Sequence, residues 1–571
     1  MDNNDDLTKN TKVAYISMEI ALDSNIPTYS GGLGVLSGDT VRSAADLEIP
    51  MVGLCLCYSS GYFYQLFNEF GEQREREIEW SFFFEFDKVD PPITMKIQDK
   101  EIKVSAWLYN VIGQSGHKIP IYLLTTDVDG NEEWQKKLTA ALYDSTSRWH
   151  RIVQEMILGI GGLKLLKSLG YDNIEVYHIN EGHGAFASLE LLKDMKGDIN
   201  KVKEKVAFTT HTPVPAGHDK FDYELVKDVF RGDLPKNIKE LGGKKELNMT
   251  VLGLNLSRYV NGVAKKHGQI SRDMFPDYEI DHITNGIHLP FWVSKPIRKL
   301  FGKKWPNWRS NPHLLQNAIE LDDLDVFDAH IENKFNLISY QKGHSWNLLD
   351  EELITIGFAR RFATYKRAIL LFHDIERLGK ICKGKIQFIF AGKAHPKDQM
   401  GKDYIKKIFE SGEYLYDNYE VKVVVMENYN MDLAHMLVSG VDIWLNTPNR
   451  YREASGTSGM KASLNGVLNL SVLDGWWLEG YKMNHLAGWA IGPDDSDPKA
   501  AENSWDVDSN YIYEILENEV IPAYMDHDDW IFRQKNAISL AAYFNTHRMV
   551  EEYAEKAYRL KKQRPWKYIG P

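Results

Sequence analysis

Cysteine is nearly absent: Cys55, Cys57 and Cys382 are the only three in 571 residues. They are too few and too widely spaced for a disulfide framework or a four-ligand zinc site, which fits a reducing compartment. No run of 18 apolar residues occurs, and Met1-Asp2-Asn3-Asn4-Asp5-Asp6 has neither the basic region nor the apolar core of a signal peptide. The expected placement is therefore cytoplasmic, away from membranes. Basic charge is also short, 68 Lys and Arg against 80 Asp and Glu, for a formal net charge of −12. That balance excludes a nonspecific binder of nucleic acid or of anionic lipid, which needs an extended basic face. A neutral substrate, or an anion held locally, stays open. Internal repeats, low-complexity segments and the HExxH spacing of a zinc protease are likewise missing, and no metal is expected.

What remains is an ordinary globular composition, 43% hydrophobic and 26% charged, in a chain too long for one core. Apolar, β-branched runs recur with helical patterns between them at Lys12–Ser17, Met51–Tyr58, Ile119–Thr125, Ile174–Ile179 and Lys205–Thr210. A second series follows at Leu353–Ala359, Ile386–Ala391, Glu420–Met426, Val441–Leu445 and Leu468–Leu473. Strands alternating with helices predict an α/β protein of two domains, each a parallel sheet covered on both faces. Pro296, Pro306 and Pro312 interrupt any period between Val293 and His313, so the expected division is 1–292, 293–544 and a terminal helix and tail over 545–571. Open parallel sheets bind ligands beyond the carboxyl ends of their strands, and the unusual residues should lie in those loops.

Several segments there stand out. Tyr29-Ser30-Gly31-Gly32-Leu33-Gly34 precedes a helix, and its glycines would let backbone N–H groups approach an anion, although a glycine cluster alone is equally a tight turn. Arg360, Arg361, Lys366 and Arg367 follow directly on the strand ending at Ala359; a charge run is usually a solvated face, but at a ligand edge these cations suit phosphate oxygens. Glu453-Ala454-Ser455-Gly456-Thr457-Ser458-Gly459-Met460-Lys461 joins small, hydroxylated residues to a lysine in the first turns of a helix, a phosphate cradle beside an amine that can reach an aldehyde. His178, His183 and His211 end predicted strands; singly each is more often structural, and together they point to a cleft. Asn285 and Trp292 sit near the expected boundary, and core packing is the plain reading of Trp292 as of Trp476-Trp477.

Taken together, Gly31 to Gly34, Asn180 to His183, Thr210-His211-Thr212, Asn261 to Lys265, Thr284 to Ile287, Arg361 to Lys366 and Glu453 to Lys461 resemble the glycogen and α-glucan phosphorylase family, in its short bacterial and archaeal form. The resemblance implies two facing Rossmann-like domains of the GT-B type, with the active site in the cleft. It implies a retaining glycosyltransferase that uses inorganic phosphate to release α-D-glucose 1-phosphate from the α-1,4-linked end of glycogen, starch or maltodextrin. Pyridoxal 5′-phosphate would be carried on Lys461, with Thr457, Ser458, Gly459 and Arg360 around its phosphate and Trp292 and Tyr429 near its ring. Arg361, Lys366 and Gly32 would hold the substrate phosphate. The glucosyl unit would meet Leu33, Asn285, His211, Glu453, Ala454, Ser455 and Gly456; Lys461, Arg361, Lys366 and His211 form the implied catalytic set. The family also suggests a homodimer.

Two sites depart from the large phosphorylases: Asn430 stands in place of arginine, and Ser458-Gly459 in place of Gly-Asn, which puts local cofactor contacts in question. The chain is also shorter, so control by phosphorylation or nucleotides is not expected. A glycosidase needs two positioned carboxylates, and no such pair stands out. In the implied mechanism the substrate phosphate supplies the proton and then attacks from the same face. Like unit charges 4 Å apart cost about 4 kcal/mol at an effective dielectric of 20, and Arg360, Arg361 and Lys366 would offset that repulsion between two phosphates. The competing readings are a nucleotide-sugar-dependent glucan synthase, which needs no pyridoxal phosphate, and a noncatalytic glucan-binding protein.

Overall fold

The computed structural model describes residues 8–78, 80, 86–143, 147–343 and 348–560. These divide into two compact units, one of residues 8–63, 77–284 and 549–560, the other of residues 64–76 and 285–548. The chain thus changes unit between Thr284 and Asn285, a few residues ahead of the division expected at 292/293.

The first unit is built on a nine-stranded sheet. Its strands are β1 (Val13–Ser17), β2 (Met51–Leu56), β3 (Asp87–Ile97), β4 (Lys100–Ile112), β5 (Lys118–Thr125), β6 (Val176–Asn180), β7 (Val206–Thr209), β8 (Tyr259–Gly262) and β9 (Asp281–His282). They lie in the order β9-β8-β7-β6-β1-β2-β5-β4-β3. From β9 to β5 every pairing is parallel, and β1, β2 and β6 are buried along their whole length, as strands covered on both faces must be. The all-parallel expectation fails at one edge, where β4 and β3 continue the sheet antiparallel. Pro91 and Pro92 sit in β3 at the register shift between Val89 and Ile93, which an outermost strand tolerates because one of its sides owes no ladder hydrogen bonds. Helix α1 (Gly32–Asp46) follows β1.

In the second unit a six-stranded, wholly parallel sheet comprises β10 (Ile354–Ala359), β11 (Ile386–Ala391), β12 (Val423–Met426), β13 (Ile443–Asn446), β14 (Leu468–Val472) and β15 (Gly488–Ile491). The order is β12-β11-β10-β13-β14-β15, so the chain winds outward from β10, then restarts beside it at β13. The helices that matter below are α2 (Leu289–Trp292), α3 (Asp323–Lys342), α4 (Met431–Gly440), α5 (Ser458–Leu464) and α6 (Trp476–Met483). A hairpin of Tyr64–Phe67 and Gln73–Arg76 also belongs to this unit: the Gln73 amide accepts from Ala394 N–H at 2.9 Å and donates to its carbonyl at 2.9 Å.

Helix α7 (Thr546–Glu552) begins the terminal segment. The predicted terminal helix over 545–562 is recognisable, with a π-helical turn over Tyr553–Ala557; residues 561 and 562 lie outside the described residues. Tyr553 and Tyr558 are buried in the first unit. Among the described residues no helix is long and apolar enough to cross a membrane.

Candidate functional site

Each sheet reverses its winding once, between β1 and β6 in the first unit and between β10 and β13 in the second. At such a switch point the loops leave in opposite directions and open a crevice at the carboxyl ends of the strands. Gly32 and Leu33 follow β1, Arg360 to Lys366 follow β10 and Glu453 to Lys461 follow β13, whereas Tyr429, Asn285, Trp292 and His211 follow other strands.

In the first unit, Asn180 at the end of β6 donates to the Ser17 hydroxyl at 3.1 Å and to the Ser37 hydroxyl at 2.9 Å, while its carbonyl oxygen lies 2.7 Å from Nε2 of His211. Burial pushes His211 down to about 3, so it is neutral and works through hydrogen bonds near neutral pH. Its N–H donates to Glu181 at 2.7 Å. Glu181 itself sits at φ 74°, ψ 161°, a backbone region that glycine normally occupies and that marks stored strain. Buried Glu19 accepts from Ser30 N–H at 2.5 Å and Gly31 N–H at 3.2 Å, fixing the loop that starts α1. Gly34 allows that loop to close down, since a Cβ there would stand 2.6 Å from Cβ of Tyr29; at Gly32 a Cβ would meet nothing within 4 Å. Gly32 is exposed and Leu33 half-buried. His178 is a core residue: its two ring nitrogens lie 2.8 Å from the hydroxyls of Tyr558 and Thr209.

In the second unit, Lys461 lies in α5, 7% exposed, with its amine 3.8 Å from the centre of the Trp292 ring. Trp292 stacks on His435 of α4 with centroids 4.4 Å apart. Asn465 bonds both sides of the α2 turn, donating to the Trp292 carbonyl at 3.1 Å and accepting from Ser294 N–H at 2.8 Å. Tyr429 is half-buried in the loop before α4. The departure at Asn430 has a local function, because its side chain caps α4 by accepting from Leu433 N–H at 3.0 Å. Ser458 accepts from the Trp444 indole at 3.1 Å. Thr457 is the N-cap residue of α5, and Gly459 is buried against Asn469 and Trp476.

The cations after β10 separate. Arg360 and Lys366 both bind Glu453, at 2.6 and 2.5 Å, and Arg360 also donates to Asn446 at the end of β13. Burial pushes the Glu453 acid up, but Arg360 and Lys366 outweigh it and hold the group at about 2. Arg367 is wholly buried and structural, donating to the carbonyls of Thr447 and Pro448 and pairing with Asp508 at 2.7 Å. Arg361 is exposed; the Phe362–Ala394 bridge sets it level with Lys393, whose pKa burial pushes down to about 8. Ala454 and Gly456 are half-buried and Ser455 buried. Nε of Arg360, the hydroxyl of Ser455 and Oδ1 of Asn285 are among the buried atoms with no hydrogen-bond partner in the described residues. Such orphans are what a polar ligand satisfies. Sequence reasoning missed Asn446 and His435, and neither carries a motif.

Residues 233–482 match the model of the carbohydrate phosphorylase family. The chain is 39% identical to maltodextrin phosphorylase of Thermococcus litoralis, over 96% of this chain and 70% of that protein. It is 35% identical to glycogen phosphorylase of Aquifex aeolicus, over 96% and 86%, and 32% identical to glycogen phosphorylase of Mycobacterium tuberculosis, over 96% and 71%. With this identity running nearly end to end, the chain belongs to the carbohydrate phosphorylase family.

Proposed function

We propose that the protein is an α-1,4-glucan phosphorylase that uses pyridoxal phosphate and releases α-D-glucose 1-phosphate with retention of configuration. The observation that carries this reading is the second unit's switch point, where a buried amine faces an aromatic plate and two cations share one carboxylate. The names of the relatives support the substrate class.

The residues present fit pyridoxal phosphate. Lys461 offers a buried amine for its aldehyde, and Trp292 a flat wall 3.8 Å from that amine. The unpartnered Nε of Arg360 and the Thr457-Ser458-Gly459 turn would receive its phosphate, with Tyr429 near the ring. When bound, the cofactor would supply a phosphate as proton partner, while its carbonyl chemistry stays unused.

Arg361 and Lys366 would then hold the substrate phosphate. Lys366 uses one of its three N–H donors on Glu453 and would turn another to the phosphate; because Arg360 and Lys366 share one Glu453 oxygen, the other would accept from a sugar hydroxyl. Ser455, flanked by Ala454 and Gly456, and Asn285 would offer their unpartnered oxygens to the glucosyl unit. Gly32, Leu33 and His211 are the first unit's candidates for these ligands. The substrate phosphate protonates the glycosidic oxygen; that bond breaks, the glucan leaves with the proton, and phosphate oxygen bonds to the anomeric carbon on the face the glucan left. The cations would stabilise the phosphate charge, the largest electrostatic lever such a site has.

We further expect a cytoplasmic homodimer, visible as a species of twice the chain mass. The test of function is incubation with maltodextrin and inorganic phosphate. The expected product is α-D-glucose 1-phosphate; glucan extension from a nucleotide sugar without phosphorolysis would instead identify a synthase.

A further inference from the structure

The loop that presents Glu453 has no secondary structure of its own, so something must hold it. Asp474, two residues past the end of β14 at Val472, is 1% exposed. Its carboxylate accepts three backbone N–H groups: Glu453 at 2.8 Å and Arg452 at 3.1 Å on one oxygen, and Gly475 at 2.8 Å on the other. Two residues on, Trp476 N–H donates to the Ser455 carbonyl at 2.8 Å. Gly475 lies between them at φ 52°, ψ −129°; a Cβ there would be driven into the Ser455 carbonyl. The 474–476 turn is thus a template against which residues 452–455 lie, bonded at both ends.

We propose that Asp474 is a positioning residue for the phosphorylase reaction: by gripping the backbone of Glu453 it sets where that carboxylate stands between Arg360, Lys366 and the substrate. The inference rests on the reading that Glu453 meets the glucosyl unit. A carboxylate is suited to this because it is acceptor-only and can take three N–H donors at once, whereas an amide would turn a donor toward one of them. Burial pushes the Asp474 acid up to about 7, and the Glu453 charge adds to the rise against the backbone donors that lower it. Three backbone N–H donors thus hold a buried carboxyl group directly beside the group it orients.

A residue that acts through Glu453 and one that merely supports the fold differ in a double-mutant cycle. Phosphorolysis kinetics and maltoheptaose binding by calorimetry are measured for the wild-type protein, Asp474→Asn, Glu453→Gln and the double variant. The expected result is that Asp474→Asn lowers kcat/KM for maltodextrin about 30-fold in the wild-type background and less than about threefold in the Glu453→Gln background, a coupling within the range for residues in one network. Maltoheptaose affinity should show the same non-additivity. Equal fold-losses in both backgrounds, or a wild-type rate for Asp474→Asn, would overturn the proposal. If Asp474→Asn does not fold, Gly475→Ala displaces the same loop by contact with Ser455 and is put through the same cycle: a loss that shrinks in the Glu453→Gln background is expected, and an equal loss in both overturns the proposal. A wild-type protein that forms no glucose 1-phosphate defeats the functional reading instead, and the binding cycle still decides the role of Asp474.

Discussion

Arg360, Arg361, Lys366 and Arg367 crowd into one short stretch, yet their surroundings give them different tasks. Arg367 is locked in the core by Asp508 and two carbonyls, Arg360 and Lys366 share Glu453, and Arg361 is exposed. Replacing Arg361 therefore tests chemistry with little cost to folding. Arg361→Ala should leave the thermal midpoint near that of the wild-type protein while lowering kcat for phosphorolysis by about 100-fold or more, the usual effect of removing one electrostatic donor. Near-wild-type turnover would take Arg361 out of the mechanism. The sequence could place these four cations at a strand end but could not apportion them, because Asp508 and Glu453 reach them only through folding. Asn430 and Ser458 make the same point. Both depart from the large phosphorylases, and the fold gives each a local bond, a helix cap for one and an indole for the other.

At the scale of elements, α3 is tied to the start of β13 by a buried ion network. Asp442 takes the Lys334 ammonium at 2.7 Å and lies 2.8 Å from His330, with Lys334 and Asp442 both almost fully buried. Asp442→Asn would strand the lysine charge, and breaking such a pair by removing one partner costs about 3–5 kcal/mol, to be read as a lower unfolding midpoint. Burial raises the Asp442 acid, but Lys334 and His330 bring it down to about 2, below the ordinary aspartate value of about 3.9. The stabilisation is thus complete above that ordinary value and is lost as pH falls toward about 2. An unfolding midpoint of the wild-type protein that stays flat across this window, or an unchanged Asp442→Asn midpoint, would contradict the assignment. The parallel strands themselves were legible in advance, since strands buried on both faces read as unbroken apolar runs. β3 and β4 were not: their alternating, partly exposed residues carry the weaker signal of an edge.

Across the whole molecule, both units use one plan, a sheet that winds outward and restarts beside its first strand, with some of the candidate residues at the restart. Local pattern revealed the alternation of strands and helices, and motifs marked the loops. What local pattern could not reveal was membership: residues 64–76 belong to the second unit and 549–560 to the first, because contacts between segments far apart in sequence decide where a hairpin or a terminal helix is buried. The claim on which the functional account stands is that Lys461, buried against Trp292, is the anchor of pyridoxal phosphate. Borohydride reduction of the purified protein followed by peptide mass spectrometry tests it directly. The account predicts a phosphopyridoxyl group on the peptide containing Lys461 and on no other; an unmodified Lys461 in protein incubated with pyridoxal phosphate, or the group attached at a different lysine, would contradict it.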